Sequence, residues 1–109
     1  MEYNFQDHIN GDTFDGVSIT TTLNGTPLDL TGASITMNMY MNRGDSPIVF
    51  STANGKIAII GDPVDGKIEF KKQVVSVVSP AQYFYQMIFT LSDGTVKTYL
   101  EGTWNIKKV

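Results

Sequence analysis

Hydrophobic and polar residues alternate along most of this chain. In the longest such stretch, Gln82 to Leu91, every second side chain from Tyr83 onward is apolar, and Ile35 to Met41 alternates in the same way. Because successive side chains of a β-strand point to opposite faces of the sheet, this period of two predicts strands with one buried face. Shorter runs of the same kind predict further strands at 17–23, 48–50, 57–60, 68–70, 96–100 and 104–106.

Turn signals separate these stretches. Six of the ten glycines directly follow Asn or Asp, as in Asn24-Gly25 and Asp93-Gly94. Both residue types tolerate a left-handed backbone, which tight turns between antiparallel strands require. Strands spaced in this way predict an all-β fold, an antiparallel β-sandwich of seven to nine strands. We expect its core to include Val17, Ile19, Leu30, Ile35, Met37, Met39, Tyr85, Met87, Phe89 and Trp104.

One segment fits two structures. Between Lys71 and Ser79, four valines are spaced to suit one face of a helical turn as well as a strand, and Pro80 ends whatever precedes it. Valine is β-branched and lowers helix propensity. We therefore expect a connection between sheets that could include one helical turn.

The N-terminal residues form a separate unit in the predicted organisation, with an arm or edge strand at 1–10 and a single β-sandwich domain at 11–109. Tyr3, Phe5, His8 and Ile9 stand in this otherwise polar segment. It could form an edge strand or a frayed end, with His8 at the surface or at an edge. Alternatively, the four residues are a candidate partner-docking arm, because an exposed sheet edge readily accepts an added strand.

Composition narrows the classes of function. The length of 109 residues suits one domain, and 41% hydrophobic against 17% charged residues favours a compact fold. The absence of cysteine excludes disulfides, thiolate zinc sites and a cysteine nucleophile. A net charge of −3 gives no electrostatic case for binding nucleic acid. No apolar run approaches the roughly 18 residues that cross a bilayer, so neither nucleic acid nor membrane is expected as a partner.

The residues that could carry chemistry are scattered. His8 is the only histidine, and most of the aspartates occupy glycine-containing turns, where a carboxylate caps its own turn. Asp62 and Asp65 are close in sequence but lack the twelve-residue calcium-loop pattern. We expect no enzyme, no catalytic residue, no metal and no cofactor. Five tyrosines and one tryptophan leave a carbohydrate-binding β-sandwich module open as an alternative, although aromatic residues in strands more often fill the core.

Several motifs in a fixed order resemble a known family. Gly11-Asp12-Thr13-Phe14 precedes the first strong strand, and Gly25 to Ile35 reads Gly-Thr-Pro-Leu-Asp-Leu-Thr-Gly-Ala-Ser-Ile. Asp65-Gly66-Lys67-Ile68, Tyr83-Phe84-Tyr85 and Gly102-Thr103-Trp104-Asn105-Ile106 follow. This order resembles the immunoglobulin-like N-terminal domain of tailed-phage upper baseplate proteins and related small domains of phage tail, neck and capsid proteins.

The resemblance implies a fold, a role and a location. The fold would be an immunoglobulin-like β-sandwich, and the protein would be a structural component of a tailed bacteriophage virion, in the baseplate, tail, neck or capsid surface. It would bind other phage structural proteins in a homo- or hetero-oligomer, and the virion would be assembled in the host bacterial cytoplasm. Pro80-Ala81-Gln82 stands where family members often have a glycine. The receptor-presenting region of the upper baseplate proteins has no counterpart before Val109.

Overall fold

The computed structural model describes residues 2–42, 44 and 46–109, so the predicted turn at 42–47 lies partly outside the described residues. Within this part of the chain the fold is all-β, as predicted, with a single 3-10 turn at Pro63–Asp65 and no α-helix. The strands are β1 His8–Ile9, β2 Thr13–Phe14, β3 Val17–Thr20, β4 Thr22–Leu23, β5 Thr26–Pro27, β6 Ser34–Tyr40, β7 Ile48–Ser51, β8 Ile57–Ile59, β9 Lys67–Phe70, β10 Gln73–Val74, β11 Gln82–Thr90 and β12 Val96–Lys107.

Eight of these strands form two larger sheets. The five-stranded sheet has the order β1-β12-β11-β6-β7 and curls into a half-barrel. The three-stranded sheet has the order β3-β9-β8, and the remaining four strands, of two residues each, form the small ladders β10-β2 and β4-β5. Neighbouring strands are antiparallel except β1, which pairs with β12 in parallel. The parallel pair joins the two ends of the chain.

One hydrophobic cluster holds residues from both larger sheets. Nine of the ten predicted core residues are buried, and Val17 is only partly buried against the cluster. Trp104 is fully buried among aromatic rings, with Phe5 stacked on it at 4.5 Å and Phe14 edge-on at 5.0 Å between ring centroids. Phe70 meets the same indole edge-on at 5.5 Å. The centre of the core is therefore aromatic and draws on distant parts of the chain.

The last strand differs from the sequence prediction, which gave one strand before Gly102 and a separate strand after it. β12 is continuous, and its pairing with β11 shifts register between Met87 and Ile88, which leaves Tyr99 as an extra residue. The extra residue shifts the alternation, so the side chains that precede Tyr99 lie on the opposite face from the one that an unbroken pairing would give them. Tyr99 therefore packs edge-on against Phe89 at 5.5 Å, and Val96 is 60% exposed instead of sharing a buried face with Leu100.

The valine-rich segment forms a connection, as expected, but of the two structures that its sequence allows it adopts the extended one, without a helical turn. Val75 and Val77 are buried, while Val74 and Val78 are exposed, so the burial has a period of two. The backbone of Val75 accepts a hydrogen bond from the Gly11 amide and donates one to the Asp12 carbonyl. These long-range bonds, together with the β-branched side chains, stabilise the extended backbone.

The element from Gly25 to Ile35 has the features that its sequence indicates. Gly25 is in the left-handed region (φ 80°) at the β4–β5 turn, and Leu28 and Leu30 are both buried. The Asp29 carboxylate accepts hydrogen bonds from the hydroxyl (2.7 Å) and the amide (3.0 Å) of Thr31. The hydroxyl bond, followed by the amide bond, holds the pKa of Asp29 below its usual value. We call this pair of hydrogen bonds the Asp29 cap; it fixes the turn at Asp29–Thr31, beside the buried Leu28 and Leu30.

Replacing Thr31 with valine should raise the pKa of Asp29 toward its usual value. The substitution deletes the hydroxyl donor and keeps the backbone amide, so part of the depression should persist. Because the folded-state pKa is depressed, the cap favours the fold above the unfolded-state pKa, and this benefit is lost as pH falls through the folded-state pKa. Carbon-13 NMR titration of the carboxyl groups measures the shift. The matched variant Thr95→Val should move only Asp93, whose carboxylate accepts bonds from Thr95, and an unchanged Asp29 titration would contradict the cap.

Candidate binding surface beside the N-terminal strand

The N-terminal segment runs along the last strand of its own chain. The amides of Tyr3 and Phe5 donate to the carbonyls of Glu101 and Thr103, both at 3.0 Å, and β1 continues the parallel pairing to Lys107. In this structure the segment forms an edge of the five-stranded sheet. It is positioned by backbone hydrogen bonds between residues almost a hundred positions apart.

The four residues considered for a partner-docking arm occupy different environments. Phe5 is 5% exposed and stacks on Trp104, and His8 is 6% exposed with Nε2 at 3.2 Å from the Val75 carbonyl oxygen. Tyr3 is half-buried and meets Phe5 edge-on at 5.2 Å, while Ile9 is 42% exposed. Phe5 and His8 thus complete this chain's own core, and they are not presented to a neighbour here. His8 lies at a sheet edge, but its ring is buried because it packs beside Trp104.

Side chains of the main domain hold the segment in place. The Trp104 indole N–H donates to the Gln6 carbonyl at 2.9 Å, and the Tyr85 hydroxyl donates to the Tyr3 carbonyl. Asn10 donates to the Val77 carbonyl (3.0 Å) and accepts from the Val77 amide (2.7 Å). Burial, the largest cause, raises the pKa of Tyr85 and keeps its hydroxyl protonated as a donor.

The outward face of the five-stranded sheet carries two neighbouring rows of side chains. Register places Phe84 between Tyr40 and Thr103 in one row. In the next row Gln86 lies between Asn38 and Glu101. Cross-strand neighbours on one face have Cβ atoms about 5 Å apart, so the side chains within each row are in reach of one another. The row with Tyr40 and Phe84 therefore lies directly beside the row with two amides and a carboxylate.

The first row, together with Gln86 and Glu101 of the second, lines a depression of about 550 Å³ where β6, β11 and β12 meet the N-terminal segment, and Asn38 lies next to Gln86 just outside it. Phe84 is 49% exposed at this site, and Tyr40 is half-buried. Glu2 and Glu101 contribute negative charge, and no basic residue lines the depression among the described residues. The side chains of Asn38, Gln86 and Glu101 form no hydrogen bond with the described part of the chain. The site presents an aromatic surface with unoccupied hydrogen-bonding groups.

Sequence alternation anticipated only part of this surface. It placed Asn38 and Tyr40 on the face opposite the methionines of β6, which is where they lie. It did not single out Phe84, because the flanking Tyr83 and Tyr85 supplied the expected buried aromatics. The available signal was an aromatic residue in phase with the polar Gln82 and Gln86.

The described part of the chain contains neither a cluster of metal-binding residues nor a membrane-spanning helix. Across residues 2–42, 44 and 46–109, no three His, Cys, Asp or Glu side chains lie close enough together to hold a metal ion. Nor does this part of the chain contain a helix with the length and apolar character to span a membrane. The chain matches no protein-family model and no curated protein sequence.

Proposed function

We propose that the chain is an immunoglobulin-like β-sandwich that serves as a non-enzymatic attachment domain in a tailed-bacteriophage virion. The strand order supports the fold. Variable-type immunoglobulin domains place strands G, F, C and C′ in one sheet and include B, E and D in the other. If β3, β6, β7, β8, β9, β11 and β12 are equated with B, C, C′, D, E, F and G, both observed sheet orders agree with that arrangement.

A tyrosine at the start of β11 supports the same assignment. Immunoglobulin-like domains often carry a tyrosine near the start of strand F whose hydroxyl bonds to the backbone a few residues upstream. Here the Tyr83 hydroxyl donates to the Ser79 carbonyl at 2.7 Å. The chain departs from antibody domains in having no cysteine and in placing its buried tryptophan, Trp104, on β12 instead of on the strand that corresponds to C.

Replacing Tyr83 with phenylalanine should lower the free energy of unfolding by about 0.5–1.5 kcal/mol, the usual net value of one hydrogen bond. The ring stays in place and the hydroxyl that donates to Ser79 is removed. Urea denaturation measures the loss. Tyr40→Phe is the matched control, since the Tyr40 hydroxyl has no hydrogen-bond partner in the described structure. Equal stability of the two variants would argue against a structural tyrosine corner.

The observation that carries the functional proposal is the element from Gly25 to Ile35. Its sequence resembles the corresponding element of the phage domains, and its two leucines, which lie between β5 and β6 in the sequence, are buried in the core. Attachment would use protein–protein contacts in a homo- or hetero-oligomer. The three-stranded sheet ends at β3 on one side and at β8 on the other. Edge strands of this kind can accept a strand from a neighbouring subunit.

Mass spectrometry of purified virions produced from the genome that encodes this chain tests the proposal. The proposal predicts peptides of this chain in mature particles, in a constant ratio to the other structural proteins. A non-structural protein of the same phage serves as the control for carry-over from the lysate. Recovery of the chain only in the lysate, at the level of that control, would overturn the virion role.

A further inference from the structure

We propose that the depression between Tyr40, Phe84 and Glu101 is a binding site for an uncharged oligosaccharide. The inference rests on the geometry of the outward sheet face and is independent of the virion role. The volume of the depression, about 550 Å³, lies in the range of about 300–1,000 Å³ that is usual for small-ligand sites. Residues of three adjacent strands form it, so the backbone hydrogen bonds of the sheet fix their spacing.

The aromatic row supplies a surface for the apolar face of a sugar ring. One face of a pyranose presents C–H bonds, which carry a small positive charge and are attracted to the negative face of an aromatic ring. Phe84 leaves half of its surface in solvent and has Tyr40 as its cross-strand neighbour. A phenylalanine so exposed contributes little to the core of this chain, whereas it could lose that exposed surface to a stacked ligand.

The adjacent row supplies the groups that recognise hydroxyls. Amide side chains both donate and accept hydrogen bonds, and a carboxylate accepts at two oxygens, so these groups suit neighbouring hydroxyls that also do both. Asn38, Gln86 and Glu101 lie side by side in the register. Since their side chains are not engaged by the described part of the chain, they can bind a ligand without breaking internal hydrogen bonds.

Charge and composition select among ligands. The two glutamates and the absence of a basic residue among the described lining disfavour phosphate, sulfate and uronic acid groups. The alternation of one aromatic row with one polar row also differs from the apolar centre of a stable protein interface, where charged residues are depleted. An uncharged sugar matches both features, since it combines an apolar face with hydroxyls.

Nitrogen-15 NMR of the intact chain, titrated with cello-, chito-, malto- and manno-oligosaccharides at millimolar concentration, tests the site. We expect at least one of these probes to shift the amides around Asn38, Tyr40, Phe84, Gln86 and Glu101. Phe84→Ala should weaken that binding by about tenfold or more. The control Val96→Ala changes another exposed apolar residue, at the N-terminal end of β12 and outside the depression, and should leave the binding unchanged.

A second variant separates an uncharged sugar from a cationic ligand. Glu101→Gln removes the charge and one acceptor oxygen but keeps a hydrogen-bonding side chain, so sugar binding should weaken less than in Phe84→Ala and remain measurable. Shifts by oligolysine that vanish in Glu101→Gln, with no shift by any sugar, would overturn the proposal in favour of a basic peptide. Shifts that depend on the concentration of the chain alone would overturn it in favour of a second copy. The absence of shifts with all four sugars, or sugar binding that Phe84→Ala does not weaken, would also refute it.

Discussion

Replacing Phe5 with alanine is expected to lower the free energy of unfolding by about 3–5 kcal/mol, the range found when buried aromatic residues are truncated. The Phe5 ring is in contact with five other aromatic rings, and stacks on Trp104 with ring centroids 4.5 Å apart. Its removal would leave a cavity at the centre of the core, although it belongs to a terminal segment. Urea denaturation followed by the fluorescence of Trp104, the only tryptophan, measures the effect.

Ile9→Ala is the matched control for this prediction. Ile9 belongs to the same N-terminal segment but is 42% exposed, so its truncation should cost much less than that of Phe5. Comparable small losses for both variants would contradict the packing of Phe5 in this core. If the free energy of unfolding of the unmodified chain instead rises with protein concentration, the N-terminal segment of one copy packs into the core of another.

Replacing Gly102 with alanine should displace the N-terminal segment and cost about 1–3 kcal/mol, as overpacking commonly does. A Cβ at this position would overlap the carbonyl oxygen of Tyr3, which is backbone and cannot rotate away. The same carbonyl accepts the Tyr85 hydroxyl, so its movement would also break that bond. Amide hydrogen exchange should show lost protection at Tyr3 and Phe5, whose amides pair with β12, while β11 remains protected.

Thr98→Ala provides the comparison, because it changes an exposed position of the same strand without adding an atom. It should leave the exchange of Tyr3 and Phe5 unchanged. If Gly102→Ala behaved in the same way as Thr98→Ala, the close approach of the two backbones would be refuted.

Alternation was enough to predict the all-β class and the residues that fill the core from the long strands. Met37, Met39, Met87 and Phe89 are all buried, because a strand in the middle of a sheet has one face toward the core whatever its partners are. Leu30, also expected in the core, is fully buried. These features depend on local pattern alone.

The remaining features depend on contacts between distant parts of the chain. Gly102 suggested a break between two strands, whereas it lies inside β12, where a glycine allows the backbone of Tyr3 to come close. The bulge at Tyr99 is a property of the pairing with β11 and is not marked in either strand. Phe5 lies in a short, mostly polar segment at the end of the chain, and its position beside Trp104 identifies it as core.

The candidate binding surface was predictable strand by strand but not as a whole. Alternation assigns Tyr40 and Asn38 to an outward face, and Gln86 indicates the same for Phe84. It does not determine that β6 and β11 are neighbours, nor that Phe84 is opposite Tyr40, because more than forty residues separate the paired positions. The pairing register turns isolated exposed residues into two adjacent rows.

Cryo-electron microscopy of virions produced from the genome that encodes this chain would show directly whether it is an attachment domain. We expect density for this all-β domain at a fixed number of copies in a symmetric ring or shell. Each copy should contact a neighbouring structural protein through a strand edge, such as β3 or β8, or through a loop tip. Complete, infectious particles without this domain would contradict the proposed attachment function.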